Sequence, residues 1–234
     1  MKPGHFVIYG QGRSGSSLLV SLLNTHPHVR CYGELFHANQ WQGWLKHLFH
    51  RWVKRHPQIY LGYKMGLGRR PVSGFKLMVN QNEKLDNLLA QLVTDNWRVI
   101  HLRRSNLWAR SISAAMLQTT GISHNRVASA RSLDKIFLDP EILLSKLKHS
   151  TYMEEREAAR MQGVSCLELV YEDDLEDPAA WPITGQKLIE YLRLPPAPMK
   201  SNLVKTWDRP YSELIANYAD LVDFARQNGY GVVE

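Results

Sequence analysis

The chain has 234 residues, 44% of them hydrophobic, which is enough for one sizeable α/β domain spanning 1–234 and leaves little for a second. A net charge of +7 and a pI near 9.4 point to an anionic partner, and the scatter of the basic residues suits a small polyanionic ligand better than a nucleic-acid track. MKPGH leads straight into an apolar run, so no secretory signal is expected and a cytoplasmic location is; no run approaches a membrane span, and Cys31 and Cys166 read as reduced, buried thiols.

Phe6 to Tyr9 is an apolar run of β-branched and aromatic residues bounded by glycine, the pattern of a buried strand. Gly10 to Gly15 follows as a Gly-rich turn. Ser16 and Ser17 then stand at N-cap and first-turn positions of a helix carrying Leu18, Leu19, Leu22 and Leu23. A strand, a Gly-rich turn and a helix N-terminus in succession aim unpaired backbone N–H groups at one point, which makes an anion site of Gly12, Arg13, Ser14, Gly15, Ser16 and Ser17. The spacing matches the P-loop outline G-x4-G-K-[ST], except that Ser16 stands at the lysine position. Arg13 is the one cation in the turn, so the turn suits a group less charged than a triphosphate.

Further strands are predicted at Val29–Gly33, Val72–Val79, Arg98–Leu102 and Cys166–Tyr171. Leu85, Leu88, Leu89 and Leu92 mark a helix face, and helices are predicted at Asn106–Leu117, Glu141–Met161, Gly185–Leu192 and Tyr211–Ala225. Strands alternating with helices imply a parallel, doubly wound sheet, with ligands bound outside the carboxyl ends of its strands. His37 to Tyr63 carries Trp41, Trp44, Trp52, Tyr60 and Tyr63. It reads either as an aromatic lid over a substrate or as an amphipathic helix packed on the core, and its histidines lack the partners of a metal site. Gln118 to Arg131 is a long polar connection, read as a loop over the acceptor site.

In HLRRSNLWARSIS, residues 101–113, Arg103 ends a strand and Ser111 lies eight residues on, so both can face one pocket. With that segment in hand, FVIYGQGRSGSSLL resembles the 5′-phosphosulfate loop of the sulfotransferases, which use 3′-phosphoadenosine 5′-phosphosulfate (PAPS). LRRSNLWARS resembles the family's 3′-phosphate motif, with Arg103 and Ser111 in the phosphate-holding positions. GFKLM, VYEDDLEDP and VKTWDRPYSELIANYADL extend the likeness over nearly the whole chain. RSGSSLL followed by HP and GE is similar to the bacterial carbohydrate sulfotransferases acting on Nod factors or trehalose.

The resemblance implies a P-loop NTPase-like three-layer sandwich with a central parallel sheet. It implies PAPS as co-substrate and its 3′,5′-bisphosphate (PAP) as product, no metal, and a small hydroxyl acceptor, carbohydrate or glycolipid favoured. Glu34 of the GE pair is then the base, with His37 second. Arg13 stabilises the leaving phosphate, and Lys76 either points to the bridging oxygen or snorkels from an edge. Lys205 and Arg209 match the family's late basic residues only loosely. The alternatives are a P-loop nucleotide kinase-like enzyme and a non-catalytic nucleotide- or RNA-binding module.

Overall fold

The computed structural model describes residues 4–37, 46–66, 70–79, 87–122, 125–126, 135–204 and 209–233. Five strands, β1 (Gly4–Gly10), β2 (Val29–Glu34), β3 (Val72–Met78), β4 (Arg98–Arg103) and β6 (Cys166–Val170), form a parallel sheet in the order β2-β3-β1-β4-β6. Every residue from Phe6 to Gly10 is buried, because both faces of the central strand are covered by helices; that is why the strand reads as a continuous apolar run.

On one face Phe6, Ile8, Ile100 and Leu102 pack against Leu19, Leu22 and Leu23 of α1 (Ser16–Thr25) and Leu188 and Leu192 of α7 (Trp181–Leu192). On the other, Val7, Tyr9, Phe75 and Leu77 meet α2 (Lys46–Arg55), α3 (Pro57–Gly66) and α4 (Leu88–Thr94). The result is a three-layer α/β sandwich. A third cluster joins α5 (Leu107–Thr120), α6 (Pro140–Met161), α8 (Tyr211–Leu214) and α9 (Tyr218–Gln227) through Trp108, Ile112, Leu143, Leu147, Leu214 and Leu221. A short antiparallel pair, β5 (Asn125–Arg126) with β7 (Leu203–Val204), stands apart from the main sheet. Among the described residues no helix is long and apolar enough to cross a membrane.

Several boundaries differ from the sequence reading. The helix expected over Tyr211–Ala225 is two helices, because Ile215 leaves the first to bridge Ile136, whose N–H donates to the Leu214 carbonyl at 2.8 Å. α7 starts four residues earlier than expected, at Trp181, behind Pro178–Ala180. Leu85 lies outside the described residues, as do Trp41 and Trp44 of the aromatic segment, Lys205, and parts of 118–131. The rest of the aromatic segment forms α2 and α3, with Val53, Tyr60, Leu61 and Met65 buried against β1 and β3. Cys31 is buried and Cys166 partly so; both are free thiols, and burial pushes the Cys31 thiol far up.

Candidate active site at the carboxyl end of the sheet

A Cβ on Gly10 would run into the Leu102 carbonyl, so glycine is what lets the chain leave β1 against β4. The turn that follows folds on itself, Ser14 Oγ donating to the Gln11 carbonyl at 2.7 Å, with Arg13 (φ 65°) and Gly15 (φ 84°) both left-handed. Gly15 is the N-cap of α1 and supplies no capping side chain, which corrects the expectation of a serine cap: Ser16 is already the first helical residue. The N-cap residue therefore offers the first-turn N–H groups no side-chain acceptor.

Beneath the turn lies a buried polar trio. Glu157 of α6 accepts from Gln11 Nε2 at 2.8 Å, and its other oxygen lies 2.8 Å from His101 Nε2 on β4. All three side chains are almost fully enclosed, so the turn is tied to both a strand and a helix.

Glu34, at the end of β2, reaches the turn through Lys76. Lys76 Nζ lies 3.2 Å from Glu34 Oε1 and donates to Ser16 Oγ and Ser17 Oγ, each at 3.3 Å. The register explains the meeting: Tyr32 pairs with Phe75 and Glu34 with Lys76, so Gly33 is an extra residue on β2, and this bulge turns Glu34 onto the face of Lys76. Lys76 is 8% exposed, in the middle of the sheet, so it is not a snorkelling edge residue. The ammonium absent from the P-loop pattern at Ser16 arrives from β3 instead. His37 is exposed, and its backbone N–H donates to the Glu34 carbonyl at 3.3 Å.

Arg103 and Ser111 have different partners. Arg103 is half exposed and donates to Glu168 on β6 at 2.8 Å, a bond that holds its guanidinium further toward the charged form. Ser111 is fully buried, its Oγ 3.2 Å from Ser150 Oγ on α6. Neither of these bonds joins the two residues expected to face one pocket. The neighbouring positions point to the turn: Ser113 Oγ accepts from Arg13 Nε at 2.9 Å, and Arg104 Nη1 donates to the Arg13 carbonyl at 3.1 Å. The Arg104 guanidinium lies 4.8 Å from the centre of the Tyr171 ring, and that ring closes over Gly15. Arg104 Nε is buried without a hydrogen-bond partner, Glu172 Oε1 standing 3.6 Å away. Burial pushes the Arg13 guanidinium down from its ordinary value; the nearby Tyr211 opposes that shift and Arg104 adds to it. Two guanidinium groups thus stand beside the turn, Arg13 bound to Ser113 and Arg104 ion-paired with Glu172.

No family model matches the chain, and no curated protein does. Among solved structures, the crystal structure of a sulfotransferase from Alicyclobacillus acidocaldarius matches with a TM-score of 0.50 and 14% identity, over 99% of this chain and 98% of that one. The chain has that sulfotransferase's fold. The match runs end to end, so the likeness is one of the whole fold and not of a part of it.

Sequence reasoning missed Gln11, His101, Arg104, Ser113, Glu157 and Tyr171. The doublets Arg103-Arg104 and Ser111-x-Ser113 carried the signal for two of them, since each offers two registers. Arg209 is exposed. A cavity of about 690 Å³ lies at the opposite, amino end of the strands, lined by His5, Leu61, Met65, Ser73 and Trp97, and takes no part in this site. Among the described residues, no group of three or more His, Cys, Asp or Glu side chains is placed to hold a metal ion.

Proposed function

We propose that the protein is a PAPS-dependent sulfotransferase that moves the sulfuryl group to a hydroxyl of a carbohydrate, glycolipid or similar small acceptor, and releases PAP. Glu34 takes the proton of the acceptor hydroxyl as its oxygen forms a bond to sulfur. The bond from sulfur to the 5′-phosphate oxygen breaks on the opposite side, and the 5′-phosphate leaves with that electron pair. Lys76, Arg13 and the N–H groups of Gly12 to Ser17 meet the charge that develops on the leaving phosphate. Arg104, which donates to the Arg13 carbonyl, and Ser113, which accepts from Arg13, are the candidates beside the turn for the second phosphate, since Arg103 and Ser111 bond to Glu168 and Ser150 instead. His37 is the second candidate for the base.

One observation carries this reading: a carboxylate at the mouth of the sheet is joined through a single buried ammonium to both hydroxyls that begin α1. The same observation weighs against the kinase-like alternative. In a nucleotide kinase of P-loop type the hydroxyl after the lysine holds Mg²⁺, whereas here Ser17 Oγ already receives an ammonium, which repels a dication. Calorimetry with PAP in the absence of magnesium tests the cofactor half, and transfer of radiolabelled sulfuryl from PAPS across sugars, glycolipids and phenols tests the acceptor half. Tight binding of ATP with magnesium and none of PAP would overturn the reading.

A further inference from the structure

Net charge is distributed unevenly along this chain. Between Glu34 and Glu83 there is no acidic residue, while Lys46, Arg51, Lys54, Arg55, Lys64, Arg69, Arg70 and Lys76 fall within that interval, so the remainder of the chain is within one charge of neutral. α2 and α3 occupy the middle of the interval. Their inward residues, Val53, Tyr60, Leu61 and Met65, are committed to the core.

Their outward residues are unusual for a surface of this charge. On α2, Leu48 is 62% exposed and Phe49 and Trp52 are each 42% exposed; on α3, Ile59 and Tyr63 are 61% and 64% exposed. Leu48 and Trp52, like Ile59 and Tyr63, are four residues apart and so share a face of their helix. Phe49 and Trp52 stack at 5.9 Å with their planes 18° apart, and Arg51 and Arg55 are exposed beside them.

We infer that the α2–α3 face docks on a bilayer surface containing anionic phospholipid. Exposed Leu, Ile, Phe, Trp and Tyr flanked by arginines, with no carboxylate among them, match what the headgroup boundary accepts: apolar and aromatic bodies below, guanidinium groups at the phosphates. A second copy of the chain fits less well, because a twofold contact through this face would set arginine against arginine with no acid to pair. Nucleic acid satisfies the charge but leaves Leu48 and Ile59 without a partner. Docking does not depend on sulfuryl transfer, and its test is separate from that of the reaction.

The test is co-sedimentation of the full-length protein with vesicles of phosphatidylcholine alone and of phosphatidylcholine mixed with phosphatidylglycerol. Binding to the mixed vesicles and not to the neutral ones is expected, weakening as salt is added. Arg51→Glu with Arg55→Glu, and separately Leu48→Ser with Trp52→Ser, should each lower the partition coefficient at least about tenfold, because each pair removes one of the two contributions. Circular dichroism and PAP calorimetry should be unchanged in both variants. If a pair unfolds the protein, Tyr63→Ser and Ile59→Ser on α3 serve in its place. The inference fails if the wild type does not sediment with the mixed vesicles or if folded variants bind like it. It fails equally if these substitutions abolish oligonucleotide binding or self-association and leave vesicle binding intact.

Discussion

Glu34 and Lys76 stand side by side, 3.2 Å apart, because Gly33 adds a residue to β2 and shifts the register by one. Without that bulge the carboxylate would pair one position further along β3 and turn to the opposite face of the sheet. Glu34→Gln keeps the shape and the hydrogen-bonding oxygen but cannot accept a proton. Its kcat should fall by about 10² to 10⁴, the range for loss of a general base, with PAP affinity unchanged. Steady-state transfer assays paired with calorimetry check both halves. Full turnover in this variant would move the role to His37.

Lys76→Met acts on the other partner. Methionine fills a similar volume but leaves Ser16, Ser17 and Glu34 without their shared donor. A charge-assisted hydrogen bond is worth about 1.5–3 kcal/mol, so PAP should bind roughly 10- to 100-fold more weakly. Glu34→Gln leaves this affinity alone, so the two variants separate base from cation.

Arg104 and Arg103 should part company in the same assay. Arg104→Ala removes the donor to the Arg13 carbonyl and the guanidinium over Tyr171, and should weaken PAP by about tenfold or more. Arg103 is paired on the surface with Glu168, both about half exposed, so Arg103→Ala should change stability by less than about 1 kcal/mol and PAP binding little. The reverse order of effects would return the phosphate role to Arg103.

The sheet was legible in the sequence because buried parallel strands are written as short, largely apolar runs, unbroken in Phe6–Tyr9 and interrupted by His101 alone in Val99–Leu102. The turn was legible too, since glycine at 10 and 15 answers to backbone constraints, the Leu102 carbonyl beside one and a positive φ at the other. The direction in which α5 faces was not. Asn106 caps that helix, accepting from the Ala109 N–H at 2.8 Å, and packing on α6 then turns Ser111 inward. Ser113, two residues on and about 200° round the helix, meets Arg13. Rotation about a helix axis is set by its neighbours, so a spacing of eight residues between an arginine and a serine could not choose between two registers. Glu157 was hidden for a similar reason: only tertiary packing carries it from α6 to Gln11 and His101.

Gly15→Ala should strain the turn from two directions. Its φ of 84° costs a residue with a Cβ roughly 1–2 kcal/mol, and the new methyl would press into the Tyr171 ring. A lower melting temperature and weaker PAP binding are expected together. Adding Tyr171→Ala relieves the clash but leaves the dihedral cost, so the double variant should recover only part of the lost stability.

Acidification should destabilise the fold in two stages. Burial holds His5 below its ordinary 6.5, against the opposing bond to the Ser73 backbone, so as pH falls through 6.5 the unfolded chain takes up a proton that the folded one resists, and stability drops. Glu172 is the second stage. Burial alone would raise its carboxyl, but the Ser105 and Asn106 N–H groups, at 3.0 and 3.1 Å, outweigh that and hold it below its ordinary 4.5. Its contribution is complete above 4.5 and is lost as pH falls through the lower folded value. Calorimetric melting temperatures should therefore decline from about pH 7 toward pH 5 and decline further below about pH 4.5. His5→Gln should flatten the upper decline, and Glu172→Gln, which keeps an accepting oxygen for both N–H groups, should flatten the lower one. A wild-type melting temperature that stays level from about pH 7 to pH 5 would remove His5 from this account.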